Sequence, residues 1–261
     1  MALLHVGFFS DELGMSVSMD VILPQKSYKL IGMETEDSKD KYPTVYLLHG
    51  WSDDHTIWQR RTSIERYASD LGVAVVMPTV GLSFYCDMVH GPKYWKFISE
   101  ELPVICRRFF PNMSDRREDT FVAGLSMGGY GAFKLALSRP DIFSKAASLS
   151  GVLDLTMFRE KFRDQEFWYW DNIFSADDKI TGTDNDLFTL AERLKKSGKE
   201  FPELYMWCGT EDEFVYDCNL SAERQFTKLG VPFTYEESSG THDWARWDEK
   251  INYVLKKFLG R

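Results

Sequence analysis

Short apolar runs alternate along this chain with longer stretches in which apolar residues recur every three or four positions. VSMDVIL (17–23) alternates apolar and polar positions, the period of a half-exposed strand. TVYLLHG (44–50) and VAVVMP (73–78) are apolar throughout and end in turn residues, which predicts buried strands with a helical stretch near 56–70 between them. EELPVICRRFF (100–110) reads as the end of a further helix. DTFVAG (119–124) is a strand running into a cluster of glycines. YGAFKLALSRP (130–140) then has helical spacing until Arg139-Pro140 stops it. KAASLSG (145–151), LYMWCGT (204–210) and VPFTYEE (231–237) read as strands. Trp244, Trp247, Ile251, Val254 and Phe258 share one face of a last helix over 244–258.

Strands that alternate with helices predict an α/β fold, a mostly parallel central sheet with helices on both faces. The 261 residues suit a single domain, 1–261. Residues 152–203 read as an irregular, cap-like insertion around FWYWDNIF (167–174). Aromatics that dense serve either as packing under a cap or as the wall of a substrate pocket.

Composition narrows the function classes. Hydrophobic residues make up 44% and aromatic residues 15%, a globular rather than disordered balance. A net charge of −9 gives no electrostatic reason to expect nucleic acid or an anionic membrane as partner. Cys86, Cys106, Cys208 and Cys218 form no CxxC pair and no zinc spacing, and the apolar surroundings of Cys106 and Cys208 predict reduced buried thiols. MALLHVGFFSDELG lacks the basic and apolar regions of a signal peptide, and no membrane-spanning run occurs, so a cytoplasmic location is expected.

The candidate chemistry lies in VAGLSMGGYGA (122–132). Gly124-Leu125-Ser126-Met127-Gly128 fits G-x-S-x-G between a strand and a helix, the context in which that motif exposes a nucleophile. A serine at so sharp a turn takes an unfavourable backbone conformation, and the flanking glycines remove the side chains that would collide there. Its hydroxyl needs a base oriented by an acid, in the chain order Ser, Asp or Glu, His. His242 is the only histidine after Ser126, which names the base by elimination. The acid belongs after the penultimate strand; Asp212 is the first choice, with Glu211, Glu213 and Asp217 as rivals that periodicity does not separate. An oxyanion hole requires two N–H donors: Met127 supplies one, and in LLHGWSDDH (47–55) Trp51 is the better second, with Gly50 as fallback.

At these residues the chain resembles the esterase D-type carboxylesterases of the α/β-hydrolase fold, a family of S-formylglutathione hydrolases, feruloyl esterases and tributyrin esterases. The likeness is strongest to the bacterial tributyrin (acetyl ester) esterase branch. It rests on LLHGWSDDHTIW (47–58), FYCDMVHGPKYWKFISEELP (84–103), RRFFPN (107–112), GLSMGGYGA (124–132), CGTED (208–212) and GTHDWARW (240–247), in the expected order along nearly the whole chain. The resemblance implies a triad of Ser126, Asp212 and His242, oxyanion donors Trp51 and Met127, and hydrolysis of short acyl, aryl or sugar esters. It implies no cofactor, and oligomers in some members. Trp51 departs from the small or aliphatic residue frequent after this LLHG and narrows the acyl choice; Tyr85, Phe167, Trp168 and Trp170 are candidate pocket walls. Alternatives are a thioesterase or feruloyl specificity, acyl transfer to an alcohol, metal-dependent hydrolysis through His49, Asp53, Asp54 and His55, and a catalytically silent binding protein.

Overall fold

Eight strands, β1 (Ala2–Ser10), β2 (Met15–Leu23), β3 (Thr44–Leu48), β4 (Ala74–Pro78), β5 (Thr120–Leu125), β6 (Lys145–Leu149), β7 (Glu203–Gly209) and β8 (Phe233–Ser238), pair in the order β1-β2-β4-β3-β5-β6-β7-β8. The structure, a computed structural model, describes residues 1–25, 27, 29, 31, 41–163, 169–175 and 179–261. β1 and β2 form an antiparallel hairpin, β2 meets β4 antiparallel, and β4 through β8 run parallel. This is the α/β-hydrolase fold expected from the sequence.

The helices are α1 (Ile57–Arg61), α2 (Ile64–Leu71), α3 (Tyr94–Lys96), α4 (Leu102–Phe109), α5 (Met127–Ser138), α6 (Leu155–Lys161), α7 (Trp170–Phe174), α8 (Leu187–Ser197), α9 (Tyr216–Leu229) and α10 (Trp244–Phe258); a π-helical turn, Phe97–Glu101, joins α3 to α4. Every residue of β3, β4 and β5 is buried, because helices cover both faces of the parallel sheet. Alternation then divides the core in two. Tyr46, Leu48, Val76 and Val122 pack with Phe133 and Phe226 on one face, and Val45, Leu47, Val75 and Phe121 pack with Trp58, Trp247 and Phe258 on the other.

Three features depart from the sequence reading. β1 was not expected as a strand, because both of its faces carry apolar residues: Leu3 and Phe9 are 37% and 60% exposed, which blurs the alternation. The helical stretch near 56–70 is broken at Thr62–Ser63 into α1 and α2. The described part of 152–203 is not irregular but carries α6, α7 and α8. Of these, α8 is closed by an Asp186 cap and by Gly198 at φ 68°, and packs against α5 and α9.

Since β3 through β8 share one direction, the loops after β3, β5, β6, β7 and β8 emerge together at the carboxyl edge of the sheet. Ligands in open α/β sheets bind at that edge. Among the described residues no helix is long and apolar enough to cross a membrane.

Candidate active site

The β5–α5 turn is built by close backbone approach. A Cβ on Gly124 would lie 2.3 Å from the Gly128 carbonyl oxygen, and one on Gly128 would lie 2.5 Å from the Leu48 oxygen and 2.6 Å from that of His49. The two glycines therefore let β5, the start of α5 and the end of β3 meet main chain to main chain. Ser126 sits between them at φ 51°, ψ −119°, a conformation that costs a non-glycine residue about 1–3 kcal/mol. Its N–H donates to Leu149 O at 2.9 Å, and its carbonyl accepts from Gly129, Tyr130 and Val152. The main chain is thus fully engaged, while the hydroxyl caps nothing.

The loops after β7 and β8 bring the candidate acid and base, Asp212 and His242, together. His242 Nδ1–H donates to Asp212 Oδ2 at 2.7 Å. The other oxygen, Oδ1, accepts the N–H groups of Phe214 at 3.1 Å and Val215 at 3.2 Å, which fixes the carboxylate at the entry to α9. With Nδ1 committed to Asp212, Nε2 is the nitrogen left to act as base. Phe214 and Trp247 flank the imidazole, with ring centroids 5.3 and 4.8 Å away. Two of the rivals for the acid, Glu211 and Asp217, are occupied elsewhere. Glu211 accepts the Gly240 N–H at 2.5 Å, which holds its carboxyl below the usual range, and Asp217 pairs with Lys161 at 3.1 Å. Among the described residues no hydrogen bond joins the Ser126 hydroxyl to His242. Catalytic hydrogen bonds are often long before substrate arrives.

Trp51 follows Gly50 in the loop after β3, facing the elbow: the Cβ position of Gly50 lies 3.7 Å from Cβ of Ser126. Met127 begins α5, where helix geometry leaves the first N–H groups without an intrahelical acceptor. His49, weighed above as a metal ligand, is a strut. Its Nδ1–H donates to Gly50 O at 2.8 Å and its Nε2 accepts from Val80 N–H at 3.1 Å. Burial lowers its pKa to about 4, so the ring is neutral at pH 7.

The expected pocket walls fare unevenly. Phe167 and Trp168 lie outside the described residues. Tyr85 is wholly buried, its hydroxyl donating to His49 O at 2.9 Å, and Trp170 is 1% exposed and packed on Phe174 at 4.4 Å. Both belong to the packing beneath the site and present no accessible wall, a correction to the sequence reading: an aromatic-rich segment does not reveal which rings face inward. Three rings not singled out in the sequence, Phe84, Phe158 and Phe214, connect Trp51 to His242, although Phe84 and Phe158 are themselves buried. Trp51 packs on Phe84 (5.4 Å) and Tyr169 (6.4 Å), Phe84 on Phe158 (6.4 Å), and Phe158 on Phe214 (5.4 Å), which touches His242. This arc joins the loop that bears Trp51 to His242 through residues far apart in sequence.

The metal alternative does not assemble. Both His49 nitrogens are taken, Asp54 caps Thr56 at 2.8 Å, and His55 Nδ1 bonds Thr79 Oγ1 at 2.6 Å. Among the described residues, no three His, Cys, Asp or Glu side chains converge to hold a metal ion.

Residues 10–258 match the Esterase family model. An acetyl esterase of Caldicellulosiruptor saccharolyticus is 30% identical over 258 residues, 96% of each chain. Among solved structures, the substrate-bound fluorophosphonate-binding serine hydrolase F of Staphylococcus aureus superposes with a TM-score of 0.87 at 33% identity, over 99% of this chain and 98% of that one. An S-formylglutathione hydrolase of the same organism gives 0.84 at 33% identity, with the same coverage.

Proposed function

The chain belongs to the Esterase family and is a carboxylic ester hydrolase, and from that premise we propose that it is a serine esterase acting on short-chain acyl esters, acetyl to butyryl, or on aryl or sugar esters. The observation that carries the reading is a strained serine at the β5–α5 turn on the same sheet edge as an imidazole oriented by a buried carboxylate. His242 Nε2 takes the proton of Ser126 Oγ as the oxygen attacks the ester carbonyl. The N–H groups of Met127 and Trp51 hold the developing oxyanion, with no reorganisation needed at that moment. Collapse expels the alcohol, which receives the proton from Nε2–H, and a water then repeats the sequence on the acyl-enzyme. Asp212 keeps the imidazole in one tautomer and stabilises its charged form throughout. The indole of Trp51, wedged against Phe84 and Tyr169, limits the acyl chain to a short one.

A second reading, thioester hydrolysis, is favoured by the likeness to the staphylococcal S-formylglutathione hydrolase. One experiment addresses both. Wild type is assayed on p-nitrophenyl esters from acetate to octanoate, on methyl ferulate and on S-formylglutathione, beside Ser126→Ala. The expected result is highest kcat/KM on acetate or butyrate, labelling of Ser126 by a fluorophosphonate, and no turnover by a folded Ser126→Ala. Full activity in that variant ends the proposal, and a preference for S-formylglutathione replaces the first reading by the second.

A further inference from the structure

The helix that starts at Met127 carries a buried lysine. Lys134 is 2% exposed, and among the described residues no carboxylate reaches its ammonium. Nζ donates instead to Asn185 Oδ1 at 2.7 Å and Tyr85 O at 3.3 Å, lies 3.0 Å from Cys86 Sγ, and stands 4.6 Å from the Trp95 ring centroid. A buried charge without a counter-charge is costly, and an apolar side chain of the same length would pack there at less expense. Packing alone therefore does not account for a lysine.

What it holds does. In the turn after β4, Phe84 and Tyr85 are consecutive non-glycine residues in the left-handed region, at φ 49° and 54°. Helix α5 grips Tyr85 twice. A Cβ on Gly131 would lie 2.4 Å from the Tyr85 ring, so only glycine admits the ring there; one turn on, on the same helix face, Lys134 binds the Tyr85 carbonyl. The far end of Tyr85, its hydroxyl, holds His49 O, and the His49 ring ties Gly50 O to Val80 N–H. The chain of contacts runs from α5 through Tyr85 to the loop that bears Trp51.

We propose that Lys134 is a positioning residue: through Tyr85 it locks the His49–Trp51 loop to the helix that supplies the Met127 amide, so the two oxyanion donors keep one spacing. The inference rests on the hydrolase reading above. Lys134→Met and Tyr85→Phe are each expected to lower kcat on p-nitrophenyl acetate by about tenfold to a hundredfold, the effect of sub-ångström misplacement at a reacting centre, with KM within about twofold. Labelling of Ser126 by a fluorophosphonate slows in parallel, since phosphonylation uses the same two N–H groups. The double variant loses no more than the worse single, because both residues act on one strut. Thermal melting separates this from a structural role: Lys134→Met melts at or above the wild-type temperature yet is slow. Wild-type turnover with both variants within twofold in kcat, or additive losses in the double variant, overturns the proposal. A wild type that neither hydrolyses the ester nor takes the label sinks the hydrolase reading itself. Should Lys134→Met not fold, Lys134→Gln takes its place in the same comparisons.

Discussion

Gly128→Ala tests how the elbow and the oxyanion loop are fitted to each other. The added Cβ would start 2.5 Å from Leu48 O and 2.6 Å from His49 O, where real Cβ atoms stay beyond 3.0 Å, so the two segments must part by half an ångström or more. Neither obstacle can turn aside, because both are main-chain oxygens at the end of β3, a strand paired on both sides. The displacement falls between the Met127 amide and the loop that carries Trp51. Oxyanion donors act only within a few tenths of an ångström of their working distance, so kcat is expected to fall by about a hundredfold with little change in KM. The stability cost is about 1–3 kcal/mol from overpacking, reduced by about 1 kcal/mol from replacing a helical glycine. Steady-state kinetics on p-nitrophenyl acetate, with chemical denaturation of the same samples, reads both numbers. Gly7→Ala on β1 is the control, since nothing lies within 4 Å of its Cβ position. A Gly128→Ala enzyme with kcat within twofold of wild type, or one impaired only in KM, would refute the reasoning.

Two further outcomes follow from the geometry of the site. Asp212→Asn keeps the shape of the acid but turns an NH2 either toward His242 Nδ1–H or toward the Phe214 and Val215 N–H groups, all of which are donors; kcat should drop about 10⁴-fold, and a loss below tenfold would remove Asp212 from the triad. His49 titrates near 4 in the fold against an ordinary 6.5, so between those values the unfolded chain binds the proton and the folded one does not. Stability therefore rises with pH across that window, and acidification through it removes on the order of 3 kcal/mol. Urea denaturation at pH 7, 5.5 and 4 measures the slope; His49→Gln should flatten it, and an unchanged slope contradicts the assignment.

Much of the fold was legible in the sequence for reasons that are local. The parallel strands are apolar runs because both of their faces are covered, and α10 announces itself by a stripe of apolar residues behind the Asp243 cap. α8 and α9 were not anticipated, and β1 was lost because its outward residues are as apolar as its inward ones. At the site, G-x-S-x-G and a single downstream histidine named Ser126 and His242, since nucleophile and base are restricted in residue type and order. Spacing alone could not choose among Glu211, Asp212, Glu213 and Asp217. That choice depends on where a turn aims each carboxylate, and the fold aims only Asp212 at the imidazole.

The sequence by itself determined most of the segments that become strands, where the chain turns sharply, and which side chains are candidates to attack an ester. These follow from periodicity, from glycine and from residue type, all properties of neighbours along the chain. The tertiary structure alone decided that Tyr85 and Trp170 are packed away while Phe84, Phe158 and Phe214 link the loop that bears Trp51 to His242, and that Lys134 holds Tyr85. Those contacts join residues tens of positions apart, and their selection comes from close packing of the whole core rather than from any local preference.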